Sequence, residues 1–324
     1  MSFMTNKALK YSDVCLIPNY SECESRKDCD TSINLFGNHY KLPIIPANMK
    51  SVIDMKLAKW MSDNDYFYIM HRFDNDLAEN VAIANAENWK TISFSTGIQD
   101  ADKDKLLKIK ARKHKIHFLT IDIAHGYCKR MIDMIKFIKE NFEDIKIIAG
   151  NVSTPQAVRS LAESGADIIK VGIGQGSPCT TKDKTGFTMP MFSCVKWCSD
   201  VTLDEGNRVP IIADGGIKCN GDITKSLVAG ATMAMAGGVF AACTDSPALN
   251  MNINGANHKA YYGSASAENK GHNNHIEGKL NHIQSNNMTF QEKLFEITQD
   301  LQSAISYGGG NDINIFKEVD YHLI

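Results

Sequence analysis

The sequence predicts an α/β fold, a closed (β/α)₈ barrel of the TIM type, from three observations. Short apolar runs recur along the chain. Each is apolar almost throughout, as strands buried on both faces of a parallel sheet are. Polar and glycine residues collect at the C-terminal ends of those runs, the end at which such barrels build their sites.

The candidate strands are 42–48, 66–72, 91–97, 117–123, 146–152, 168–174, 210–216 and 233–241. Helix-like segments lie at 54–64, 103–114, 129–141, 154–164 and 222–229, with a closing helix over 291–306. Thr154 followed by Pro155 is a good helix start, because the hydroxyl caps a free N–H and proline fits the first helical position. Strands alternating with helices in one chain favour a barrel over an open doubly wound sheet. The open sheet stays the alternative, but its Gly-x-Gly-x-x-Gly turn is absent after the first strand. At the strand ends sit Asn48, His71, Arg72, Ser95, Thr96, Asp122, Asn151, Gly172, Gly174, Asp214, Gly237 and Gly238. Turns and caps explain any one of them; their shared rim is better explained by a site.

The 324 residues fit one barrel domain over 1–324, and 43% hydrophobic residues suffice for a large core. A formal net charge of -2 without a basic patch argues against nucleic-acid partners. No run of about 18 apolar residues predicts a membrane span, and residues 1–10 lack the apolar centre of a signal peptide. Nine scattered cysteines without zinc spacing read as reduced thiols of a cytoplasmic protein. Two long polar stretches break the rhythm: an active-site loop, 174–193, and the Asn/Gly/His-rich stretch 245–288, which holds a mobile flap at about 250–287.

Three groups carry chemistry. Gly172, Gly174 and Gly176 let the backbone approach a ligand, and Cys179 follows them in a polar segment. Backbone dipoles there would make its thiolate a nucleophile; elsewhere in the chain a cysteine is by default a small buried hydrophobe. Asp214-Gly215-Gly216 and Gly237-Gly238 end the seventh and eighth candidate strands, where barrels hold phosphate on backbone N–H groups, with Asp214 placed for ribose hydroxyls. Each glycine pair alone could be a simple turn. Tyr262-Gly263-Ser264-Ala265-Ser266 and Glu277-Gly278-Lys279 lie in the flap, where Glu277 is a proton carrier or a solvated surface residue.

Taken together these residues resemble the inosine monophosphate dehydrogenase/guanosine monophosphate reductase family. The resemblance runs from Tyr11-Ser12-Asp13 through Pro46-Ala47-Asn48-Met49, Met70-His71-Arg72-Phe73, Thr120-Ile121-Asp122-Ile123-Ala124-His125-Gly126 and Ile148-Ala149-Gly150-Asn151 to Ser306-Tyr307-Gly308-Gly309. The dehydrogenases carry CBS modules and a flap Arg-Tyr pair. No such insertion is visible, and none of the six arginines precedes a tyrosine. The chain is therefore similar to the short bacterial reductase branch.

The resemblance implies NADPH-dependent reductive deamination of GMP to IMP and ammonia. Cys179 would form a covalent thioimidate, with Thr181 and Glu277 handling the proton. The nucleotide would lie on Ser177, Asp214, Gly215, Gly216, Gly237, Gly238, Ser264, Ala265, Ser266 and Gly278. The cofactor would meet Arg72, Asp122, Ile123, Ala124, Ile173, Gly174, Tyr307, Gly308 and Gly309, with Ser25 and Arg26 reaching a neighbouring subunit of a homotetramer. Carbonyls of Gly174, Gly176 and Cys179 match a monovalent-cation site, for K⁺. The chain departs from the family pattern at Gln175, Pro178 and Asn274, and it lacks a second glycine in 185–190. Alternative readings are IMP oxidation with NAD, the same reduction of a deoxy or modified purine nucleotide, and a catalytically quiet nucleotide sensor.

Overall fold

A computed structural model describes residues 7–73, 76–203 and 208–324. Residues 1–6, where the predicted domain and the segment read for a signal peptide both begin, lie outside the described residues. The strands in chain order are β1 (Val14–Leu16), β2 (Ile33–Leu35), β3 (Asn38–Tyr40), β4 (Ile44–Pro46), β5 (Ser93–Thr96), β6 (Phe118–Asp122) and β7 (Lys146–Val152). They continue as β8 (Ile168–Val171), β9 (Ile211–Asp214), β10 (Met233–Ala236), β11 (Asn250–Ile253), β12 (Ala256–Tyr262), β13 (Leu280–Gln284) and β14 (Tyr321–Leu323).

Seven of these form one parallel sheet in the order β4-β10-β9-β8-β7-β6-β5. The last of the seven in sequence, β10, pairs with the first, β4, so the sheet curls back on itself. The eighth place belongs to 66–70, which the sequence predicts as a strand and the structure holds by other means. Met70 bridges Phe94 on one side, and on the other the Lys41 N–H donates to Asp65 C=O at 2.9 Å. Tyr68 explains the missing ladder. Its hydroxyl donates to Thr91 C=O at 2.7 Å and accepts the Ser93 N–H at 3.4 Å, a group that a regular strand would use. The result is the predicted (β/α)₈ barrel, and no CBS module interrupts it among the described residues.

All six predicted helices form, five with shifted ends and Lys129–Asn141 with the predicted ones: Met55–Asp63, Asp100–Ala111, Lys129–Asn141, Pro155–Glu163, Asn220–Val228 and Phe290–Gly308. Thr154 caps as expected, its side chain accepting the Ala157 N–H at 3.3 Å. Leu77–Ala86 and Met191–Ser199 are additional helices. The second takes over the end of the predicted loop 174–193, because Met191, Phe192, Cys194, Val195 and Cys198 all bury their side chains.

The barrel strands are buried on both faces: every residue of β4, β5, β8 and β10 is buried. The hairpin of β2 and β3 covers the N-terminal mouth. Its Phe36 ring lies 6.4 Å from that of Phe118 at the start of β6, and Lys146 at the start of β7 sits 4.8 Å above Phe36. Openings therefore remain at the C-terminal rim. There β11, β12 and β13 form an antiparallel sheet from the stretch expected to be a mobile flap. Asn254 and Gly255, at φ 52° and 83°, make its two-residue hairpin turn.

Candidate active site

The C-terminal rim encloses a cavity of about 1270 Å³, larger than most pockets for one small ligand. Most of the rim residues read from the sequence line it: Asn48, Arg72, Asp122, Asn151, Gly172, Gly174, Asp214, Gly237 and Gly238. His71, Ser95 and Thr96 do not; they lie around a small neighbouring pocket.

Cys179 follows the turn in which its N–H donates to Gly176 C=O at 3.0 Å. Positive φ at Gly172 and Gly174 makes this path possible, and a side chain at Gly172 would run into the backbone of Asp214. The loop is clasped by the flap. Cys179 and Gly278 form an antiparallel bridge, flanked by Thr180 N–H to Glu277 C=O at 2.9 Å and Lys279 N–H to Pro178 C=O at 2.8 Å. Proline at 178 thus costs the loop a donor but keeps the carbonyl that the flap uses. Each such bond contributes about 1 kcal/mol net.

The clasp sets three side chains in a row. The Cys179 thiol donates to Thr181 Oγ1 at 3.2 Å, and Thr181 Oγ1 donates to Glu277 Oε2 at 2.6 Å. A proton on sulfur therefore has a two-bond path to a carboxylate, the arrangement that an activated nucleophile needs.

Around this row, Ser177, Gly215, Gly216, Ser264 and Ala265 line the cavity with Ile123, Ala124 and Ile173. Gln175 is fixed on both sides: its carbonyl accepts the Gly216 N–H at 3.2 Å, and its amide donates to Thr188 Oγ1 at 2.6 Å. The remaining predicted residues lie off the lining. Ser266 caps the short helix Ala267–Lys270, and Gly278 gives its backbone to the bridge with Cys179. Ser25, Arg26, Tyr307, Gly308 and Gly309 gather elsewhere. Arg26 donates to the Tyr307 hydroxyl at 3.1 Å and stacks 5.0 Å from its ring, while Gly309 ends the last helix in the left-handed conformation.

Two residues with a place in the cavity escape sequence reasoning. Lys170 of β8 looks like one more buried strand position. Its ammonium lies 2.8 Å from Asp214 Oδ2 and 3.0 Å from Asp122 Oδ1. Burial disfavours its charge, but the two carboxylates outweigh burial and hold the ammonium above the ordinary lysine value. Burial likewise opposes ionisation of Asp122; Lys170 and then Arg72 overcome it and keep that carboxyl low. Asn151 supports Asp214 with a further bond of 2.8 Å. Tyr261 is the second: its hydroxyl lies so close to Gly237 that no side chain fits there. Burial, then the charges of Asp214 and Cys179, push its phenol up, so it is neutral. An unpaired lysine code inside an apolar run, with aspartates at two other strand ends, was the available signal for Lys170.

No cluster of three His, Cys, Asp or Glu side chains suited to a metal occurs among the described residues. No helix of the described residues is long and apolar enough to cross a membrane.

Residues 8–322 match the family model described as the IMP dehydrogenase / GMP reductase domain. Among curated proteins, the chain is 44% identical over 321 residues to GMP reductase of Staphylococcus aureus strain JH9, covering 98% of this chain and 97% of the relative. The GMP reductases of strains Mu50 and Newman match with the same identity and coverage.

Proposed function

From the premise that this chain belongs to the IMP dehydrogenase/GMP reductase family, we propose that it is an oxidoreductase of purine metabolism that reduces GMP to IMP with release of ammonia. The observation that carries the reading is the row Cys179–Thr181–Glu277 on the wall of a cavity large enough for a nucleotide and a nicotinamide cofactor together.

The thiol proton passes through Thr181 to Glu277 as the sulfur attacks C2 of the guanine. A C–S bond forms and the C2–N bond breaks. An amino group leaves poorly as an anion, so Glu277 returns the proton to the departing nitrogen, which leaves as ammonia. The covalent thioimidate that remains on Cys179 divides one hard displacement into two easier steps. Asp122, Ile123 and Ala124 would hold a nicotinamide dinucleotide, whose chemistry would supply the hydride that C2 needs in place of sulfur. The first proton has left with ammonia, so the released thiolate takes a second one from solvent by way of Glu277 and Thr181, and the product is IMP.

Asp214 accepts the ribose hydroxyls, and backbone N–H groups at Gly237 and Gly238, with the Ser177 hydroxyl, take the phosphate, while Gly216, whose N–H is given to Gln175 C=O, lines the cavity beside them. The first turn of the helix Gly238–Ala241 supports this assignment, because the leading N–H groups of a helix lack partners within it. The reading includes NADPH as the reductant, K⁺ on the carbonyls of Gly174, Gly176 and Cys179, a homotetramer, and a cytoplasmic location. The free state of all nine cysteines supports a reducing compartment. The exposed pair of Arg26 and Tyr307 supports a cofactor contact between subunits.

A nucleotide panel tests the proposal. GMP with NADPH must give oxidised cofactor and ammonia in equal amounts. IMP oxidation with NAD, or activity confined to a deoxy or modified purine nucleotide, overturns the assignment to GMP.

A further inference from the structure

Lys170 pairs at once with two carboxylates of the cavity lining. Its ammonium lies within 3.0 Å of carboxylates on β6 and β9, which stand on opposite sides of β8 in the sheet. Its side chain is 3% exposed, whereas Asp122 and Asp214 keep 14% and 22%. The two carboxylates thus face the cavity while the ammonium sits behind them. Gly150 on β7 leaves the space, since a Cβ there would lie 2.7 Å from Lys170 Cβ.

We propose that Lys170 is a positioning residue, the shared counter-ion of the carboxylate that receives the nucleotide ribose and the carboxylate that lies beside the cofactor. This rests on the functional reading above, in which Asp214 meets the ribose and Asp122 the cofactor. Two carboxylates held close together with no cation between them repel each other, and the repulsion favours protonation of one of the pair. A protonated carboxyl has lost acceptor strength toward ligand hydroxyls. The other charged or titratable groups facing the cluster are Arg72 beside Asp122, and Tyr11 and Tyr261 near Asp214. Burial keeps both phenols neutral, and the Arg72 Nε donates to the backbone carbonyl of Asp122 at 3.1 Å. Neither phenol can replace the ammonium.

The test is calorimetric binding of GMP and, separately, of NADP⁺ to wild type, Lys170→Met and Lys170→Arg at pH 6.5 and pH 9. Lys170→Met is expected to weaken both ligands by about 10-fold or more at pH 6.5. Its deficit relative to wild type at the same pH must shrink at pH 9, as the carboxylates ionise. Lys170→Arg, which keeps the charge, must recover most of both affinities. Loss confined to one ligand, or a deficit independent of pH, overturns the proposal. Lys170→Met/Asp122→Asn removes one of the opposed carboxylates, so it is expected to regain GMP affinity over Lys170→Met. Should the single variant not fold, the double variant carries the test: with no opposed carboxylate left, its GMP affinity must stay within about 3-fold of wild type at both pH values, and a loss of about 10-fold or more overturns the proposal. If wild type proves to act on another purine nucleotide, the functional reading fails; the same titrations run with that nucleotide still decide the role of Lys170.

Discussion

Thr181 Oγ1 stands between Cys179 and Glu277, donating to Glu277 Oε2 at 2.6 Å while accepting the thiol at 3.2 Å. In the proposed reaction the hydroxyl is the relay and the carboxylate the store of the proton. Glu277→Gln keeps the shape and removes the store. Release of ammonia is expected to slow by about 10²-fold or more, with hydride transfer to the preformed thioimidate slowed much less. Single-turnover measurements that follow ammonia and cofactor separately check this. Equal slowing of both steps would remove Glu277 from the deamination.

Cys179→Ala removes the proposed nucleophile without disturbing the clasp, because the clasp around residue 179 is made by backbone atoms of 178–180 and 277–279. Turnover is expected to fall below detection while GMP binding changes by less than about 3-fold, within 0.7 kcal/mol. In wild type, the covalent adduct should appear in the intact mass after rapid quenching. Measurable turnover by the alanine variant would exclude the thioimidate.

The barrel and the cysteine of the cavity wall were legible because both leave regular marks: apolar runs closed by polar residues, and a cysteine behind spaced glycines. The rest depends on contacts between distant residues. Lys170 reads as part of an apolar strand until β6 and β9 bring aspartates to it. Leu77–Ala86 hides because alanines fill much of its buried side, which blurs the helical period, although Asp76 caps it by accepting the Ala78 N–H at 2.9 Å. The flap hid for a different reason. Its strands alternate, as the exposed and half-buried residues of Leu280–Gln284 do, and Asn254-Gly255 is a hairpin signal that composition alone passes over.

The fit between Gly237 and Tyr261 gives a packing prediction. A Cβ at 237 would overlap the tyrosine hydroxyl and lie 3.0 Å from Cζ. Gly237→Ala is expected to destabilise the fold by about 1–3 kcal/mol and to weaken GMP binding as the loop proposed to hold the phosphate shifts. Tyr261→Phe removes the overlapping oxygen. The double variant should therefore be more stable than the sum of the two single effects implies, by about 0.5 kcal/mol or more. Additive losses in chemical denaturation would show that the ring, not the hydroxyl, sets the limit.

His71 supplies the acid dependence. Burial, with Lys50 adding to it, pushes its imidazole down to about 4 from 6.5, and its Nδ1 accepts the Phe73 N–H at 3.2 Å. Asp54 acts in the opposite sense but is outweighed. Above pH 6.5 the ring is neutral in folded and unfolded chains alike, and its full contribution to stability is present. Between pH 6.5 and 4 the unfolded chain binds a proton that folded His71 does not, so stability falls as pH falls, by up to ~3 kcal/mol. His71→Asn offers an oxygen in place of Nδ1 and does not titrate. Its denaturation midpoint should therefore drop less than that of wild type between pH 7.5 and pH 5. Parallel drops in the two proteins would assign the acid sensitivity to carboxylates and clear His71 of it.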